Sequence, residues 1–274
     1  MRVGQALHGY RDGHRLLANS TPLPNRALDT MLAVTDAVDV HDEGRELFAM
    51  YGLPDTDYVA ASLTWPALDV GRPGAVWSHT IFAEPTVLVA LGHGLLSLFR
   101  RPPSASRLEV ANYAKPVYAE RQAAPMPSAE VVESAARIAW ALHEAPTRPV
   151  IADATALDIP SQHRLLVGLT LQCWSELSKT LALAEASSMA RRIDDRPFDL
   201  TLTGPSGLGS LGRGLEHRPR ALPANTRLTP PIWAAALASD AMSPGRLSEF
   251  LHDYGGPVAG GRAAWARSRF PPQS

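Results

Sequence analysis

Two histidines, His8 and His14, flank a turn made of Gly9, Tyr10, Arg11, Asp12 and Gly13. A third, His79, lies in the later segment Trp77-Ser78-His79-Thr80. Imidazole titrates near neutral pH, so three such rings in one pocket could bind a metal or pass protons as general acid and base. Separations of six and sixty-five residues do not form a zinc signature, and no metal is expected. A structural reading stands beside the catalytic one. In it, His8 and His14 hydrogen-bond to fix the turn, with Arg15 opening the returning strand, and His79 pairs inside a sheet.

Other constellations carry less chemistry. Gly9 and Gly13 could let backbone amides approach a phosphate, but neither GxxxxGK[ST] nor GxGxxG is present. The stretch from Gly204 to Gly214 has glycines, hydroxyls and Arg213 but no lysine, and reads as a flexible loop. The chain is therefore not expected to be a GTPase itself, and no cofactor is expected. There is no G-x-S-x-G elbow. Cys173, the only cysteine, lies in an apolar helical context and reads as a buried thiol. Arg100-Arg101 and Arg191-Arg192 read as solvated element ends, with anion binding as the other possibility. The six tryptophans read as core or interface anchors.

The elements that must position these residues follow from periodicity. Val3–Leu7 and Arg15–Ser20 read as a hairpin around the His-Gly-Tyr turn. Arg26–Val38 has helical spacing. Tyr58–Trp65 and Ala75–Ala83 are strand-like, and Thr86–Phe99 reads as a helix with Pro85 in its first turn. Five prolines break residues 101–127 into a linker or surface excursion. Ser128 caps a helix to about His143, Pro149–Ala152 is strand-like, and Ser161 starts a helix to about Leu177. Residues 180–193 fit helix or strand equally, whereas Phe198–Thr203 is strand-like. Short helices are expected at Pro231–Ser239 and Pro244–His252. The expected fold is α+β, an antiparallel sheet with packed helices. Residues 1–205 form the expected main domain, and 206–274 a Gly-rich loop with a short helical extension.

Composition bounds the function classes. Of the 274 residues, 45% are hydrophobic and 19% charged, which suits a globular chain with a real core. A net charge of −1 gives no field favouring nucleic acid or an anionic membrane. The longest apolar stretch, Val87–Phe99, is interrupted by Gly92, His93 and Gly94 and is too short to span a bilayer. No secretory signal is recognisable, and a cytoplasmic location is expected.

Gln5-Ala6-Leu7-His8-Gly9-Tyr10, followed by Asp12-Gly13-His14-Arg15-Leu16-Leu17-Ala18-Asn19-Ser20, resembles the opening of the type-1 N-terminal domain of bacterial GTPase-associated protein one. Leu32-Ala33-Val34-Thr35-Asp36, Tyr51-Gly52-Leu53-Pro54, Leu63-Thr64-Trp65 and Arg72-Pro73-Gly74-Ala75-Val76-Trp77-Ser78-His79-Thr80 resemble further elements in the same order, and Arg196-Pro197-Phe198-Asp199-Leu200 matches more loosely. The likeness is densest over residues 1–85. Ala75 stands where the family usually has cysteine, and Gly52 where it has proline. The resemblance implies a component of bacterial conflict systems encoded beside GTPases. It implies a non-enzymatic adaptor or regulator that binds a partner GTPase or effector, with Gly9, Tyr10, Asp12, Gly13, Arg15, Trp77 and Thr80 as its motif residues. The other function class is an enzyme using His8, His14 and His79 on a nucleotide or peptide substrate. Family members with further middle and C-terminal modules are longer, and those modules are expected to be missing here.

Overall fold

The computed structural model describes residues 1–36, 46–68, 70–101, 109–120, 126–144, 148–172, 181–186, 191–194, 196–211, 219–224 and 229–243. The expected helix at Pro244–His252, Cys173 and Arg213 lie outside them.

The first segment is a meander of strands rich in β-branched and aromatic residues. It comprises β1 (Arg2–Tyr10), β2 (His14–Asn19), β3 (Leu47–Gly52), β4 (Val59–Pro66) and β5 (Val76–Ala83), with α1 (Asn25–Thr35) between β2 and β3. All these strand pairs are antiparallel, in the spatial order β3-β4-β5-β1-β2. The expected helix over 86–99 is divided. α2 (Pro85–Leu91) stops at Gly92, whose φ is 54°, and the chain tightens into a 3-10 turn over Gly92–Leu98. Within the proline-broken excursion, β6 (Val117–Tyr118) returns to pair with the start of β1.

The remaining elements are α3 (Ala129–Glu144), β7 (Val150–Asp153), α4 (Ile159–Gln172), β8 (Leu183–Glu185), β9 (Arg192–Ile193), β10 (Arg196–Pro197), β11 (Leu200–Thr203), α5 (Pro205–Ser210), β12 (Arg220–Leu222) and α6 (Ile232–Met242). Here strands alternate with helices, the arrangement that allows parallel pairing. β12, β7, β11 and β8 are all parallel, and β8 joins the meander antiparallel to β3. The fold is α+β as expected, but the ten-stranded sheet is mixed rather than wholly antiparallel. The stretch from Gly204 opens with a helix rather than a loop, because Pro205 is preset for a first helical turn. Elements on both sides of residue 205 share this sheet. β12 pairs with β7, and α6 packs on α3 and α4.

The sheet separates two apolar layers. One face carries the larger core, including Phe48, Met50, Leu63, Trp65, Trp77 and Ile81, beneath helices that include α3, α4 and α6. The other carries Ala6, Ala49, Tyr51, Ala60, Phe82 and Ala184 beneath Ala27, Met31 and Val34 of α1. Strand alternation thus decides which side of the protein each motif residue serves.

Candidate functional site

The His-Gly-Tyr block closes the β1–β2 hairpin. Tyr10 pairs with His14, and Arg11 N–H donates to Gly13 O at 2.9 Å across the turn. Asp12 and Gly13 have φ of 59° and 123°. Gly13 takes such a value without steric cost, and a short polar Asp tolerates the left-handed region. Gly9 has a different reason to be glycine. A Cβ there would lie 2.1 Å from the Trp77 ring, so the absent side chain makes room for tryptophan rather than for a phosphate. Arg72 Nη1 donates to Tyr10 Oη at 2.8 Å, with its guanidinium carbon 4.8 Å from the Tyr10 ring centre, and ties the β4–β5 turn to the hairpin. Arg15 is exposed.

The three histidines do not share surroundings. On β5, Ser78 pairs with His8 and His79 with Leu7, so His79 and His8 project from opposite faces. Arg100 N–H donates to His79 Nδ1 at 3.1 Å, which assigns the proton to Nε2. That Nε2–H then donates to Gln5 Oε1 at 2.9 Å, and Gln5 Nε2 donates to Asn112 O and Lys115 O. Tyr113 and Phe99 stand edge-on to the His79 ring. Both His79 nitrogens are thus engaged, one with Arg100 and one with Gln5, which in turn holds the 112–115 segment against the sheet.

His8 and His14 do meet. Their rings stack at 6.0 Å and 23°. Thr35 Oγ1 donates to Met31 O at 2.8 Å, so His14 Nε2–H donates to Thr35 Oγ1 at 3.1 Å and Nδ1 is left as a bare acceptor. Nδ1 of His14 and both nitrogens of the fully buried His8 have no hydrogen-bond partner among the described residues. Burial, reinforced by the neighbouring His14, pushes His8 down to about 3. Burial also lowers His14, opposed by the carboxylate of Asp36. At neutral pH the pair is two uncharged rings.

A row of buried hydroxyls runs along the same face. Thr64 Oγ1 and Ser78 Oγ are 2.7 Å apart, and Ser78 Oγ donates to Thr35 O at 3.4 Å. Tyr51 Oη, Ser62 Oγ and Thr80 Oγ1 form a second chain at 2.8 and 2.7 Å. Burial pushes the Tyr51 phenol up to about 12. The second chain has three hydroxyl protons and two links, so one proton is not used within it.

Arg191, expected at a solvated element end, lies instead in the interior. It is 3% exposed, and Nε, Nη1 and Nη2 all lack a hydrogen-bond partner among the described residues. Burial pushes its guanidinium down to about 10, opposed first by Glu185 and then by Tyr51. Glu185 Oε2 accepts from Phe48 N–H at 2.8 Å and from His163 Nε2 at 3.1 Å, while Oε1 is unpartnered among the described residues. The sequence held one signal for this cluster, a lone carboxylate ending the apolar strand Leu183-Ala184-Glu185. Arg191 itself was masked by Arg192, an exposed arginine next to it.

Among the described residues, no three His, Cys, Asp or Glu side chains gather closely enough to hold a metal ion, and no helix is long and apolar enough to cross a membrane. No curated protein matches the chain. Residues 2–99, which hold β1 to β5, α1, α2 and all three motif histidines, match the family model of GTPase-associated protein 1, N-terminal domain type 1, the family that the His-Gly-Tyr and Trp-Ser-His motifs resemble.

Proposed function

We propose that the chain is a non-enzymatic adaptor or regulatory module of a bacterial GTPase-linked conflict system, acting in anti-phage defence. In this reading it works in the cytoplasm and binds a partner GTPase or that GTPase's effector. The observation that carries the reading is the match of residues 2–99 to a GTPase-associated domain family. The chemistry of the histidine pair supports binding over turnover. A general base works best with a pKa near the operating pH, and His8 is held at about 3. The motif residues Gly9, Asp12, Gly13, Trp77 and Thr80 are engaged in building the hairpin and the buried hydroxyl row. The test is co-purification with any GTPase found encoded next to this chain's gene, in its nucleotide-free, GDP and GTP-analogue states. A stable complex in at least one state is expected, and a protein that stays unbound in all three overturns the reading.

A second reading, an enzyme acting on a nucleotide or peptide substrate, draws on the unpartnered nitrogens of His8 and His14. It proceeds without His79, whose nitrogens are both engaged. It requires a turnover that is lost in His8→Ala and kept in a variant of the exposed Arg15.

A further inference from the structure

A buried guanidinium is among the most costly groups to leave unpaired, because its N–H groups give up water without gaining acceptors. Arg191 is buried to 3% exposure with all three nitrogens unpartnered among the described residues. Glu185, whose charge opposes the effect of burial on Arg191, is also short of a partner: its Oε1 has none among the described residues. The attraction between Arg191 and Glu185 lowers the cost of burial but satisfies no directional N–H, since no ion-pair contact links them. Arg191 also lies in the connection that leaves the carboxyl end of the parallel strand β8. Open α/β sheets bind small ligands outside the carboxyl ends of their strands.

We propose that Arg191 anchors a buried binding site for the oxyanion group, phosphoryl or carboxylate, of a small molecule, with Glu185 accepting from a donor on the ligand. A planar guanidinium offers a fork of N–H groups that matches two oxygens of such a group, which is the pairing Arg191 lacks. The site is independent of the GTPase partnership, because it stands on residues mostly outside the matched stretch and needs no second protein.

The test is calorimetric titration of the whole chain with inorganic phosphate and, separately, with acetate, alongside thermal unfolding in each salt. Saturable binding of either anion is expected, and the anion that binds assigns the ligand as phosphoryl or carboxylate. Arg191→Met removes the charge-assisted hydrogen bonds and is expected to weaken that binding by about tenfold to a hundredfold. It should also unfold at no lower temperature than the wild type without anion, because it removes an unpaired buried charge. Arg191→Lys keeps the charge, loses the fork, and is expected to bind at least about tenfold more weakly than wild type. The proposal is overturned if neither anion binds and both Arg191→Met and Glu185→Gln lower the unfolding temperature, the signature of a water-bridged internal ion pair. It is equally overturned if Arg191→Met binds the anion as wild type does.

Discussion

His8 and His79 stand on neighbouring strands one register step apart, and both are fully buried, yet the two faces of the sheet treat them differently. On one face the His79 ring is fastened at both nitrogens, and through Gln5 it holds the 112–115 segment against β1. On the other face His8 has no partner at either nitrogen among the described residues, and His14 has one nitrogen to spare. Burial alone therefore says little about a polar residue's role. A buried ring with every hydrogen bond made holds the structure together, whereas a face rich in unmade bonds keeps capacity for something else.

The largest effect should come from the fastened face. His79→Leu leaves Gln5 Oε1 without its donor and Arg100 N–H without its acceptor. It is expected to cost about 2–4 kcal/mol in urea unfolding, and amide exchange over Val110–Tyr113 should accelerate. A loss below about 1 kcal/mol would break the distinction between the faces. Gly9→Ala tests the hairpin that both faces share. The new methyl would meet the Trp77 ring at 2.1 Å, and Trp77 is only 4% exposed, so the ring has little room to yield. A loss of about 1–3 kcal/mol is expected, read as a lower unfolding midpoint.

Acid should then report both faces together. His8 and His79 are held at about 3 and His93 at about 4, against an ordinary value of 6.5. Above 6.5 the imidazoles are neutral whether the chain is folded or unfolded, and these groups do not alter stability with pH. As the pH falls below 6.5 the unfolded chain takes up protons that the folded chain refuses. Stability is lost through that window until the folded groups titrate at about 3 to 4. The expected slope is roughly 1 kcal/mol per pH unit for each histidine. Unfolding midpoints measured between pH 7 and 5 check it, and His8→Leu and His79→Leu should each remove about one proton from the uptake near pH 5.

Much of the antiparallel half was legible because its signals are local. Alternation in Tyr58–Trp65 and Ala75–Ala83, and turn residues at Gly13 and Gly74, fix strands without knowledge of distant partners. The parallel half was read as separate pieces. β7, α4 and β11 each had a local signal, but parallel pairing joins residues fifty apart, such as Val150 and Leu200, and leaves no mark in either strand. The site divides in the same way. That His8, Gly9 and Trp77 belong together was visible as motif, whereas the face each serves depends on strand register. Whether a strand hydroxyl such as Ser62 or Thr80 is exposed or buried depends on α1, an element in another part of the chain. Arg191 illustrates the limit, because arginine next to arginine has the composition of a surface and only tertiary packing places one of them inside.

The smallest effect is the most discriminating. If His8 is a structural ring like His79, replacing it with leucine must cost a comparable amount. If its nitrogens are unpartnered, His8→Leu removes no hydrogen bond, swaps a desolvated polar ring for an apolar side chain, and is expected to leave stability at pH 7 within about 1 kcal/mol of wild type. The same substitution removes a donor and an acceptor from the face beneath α1. An unchanged unfolding midpoint combined with weakened partner binding would therefore assign His8 to recognition. A midpoint lowered as far as that of His79→Leu would instead show that His8 is fastened by bonds of its own, and the two faces would differ only in detail.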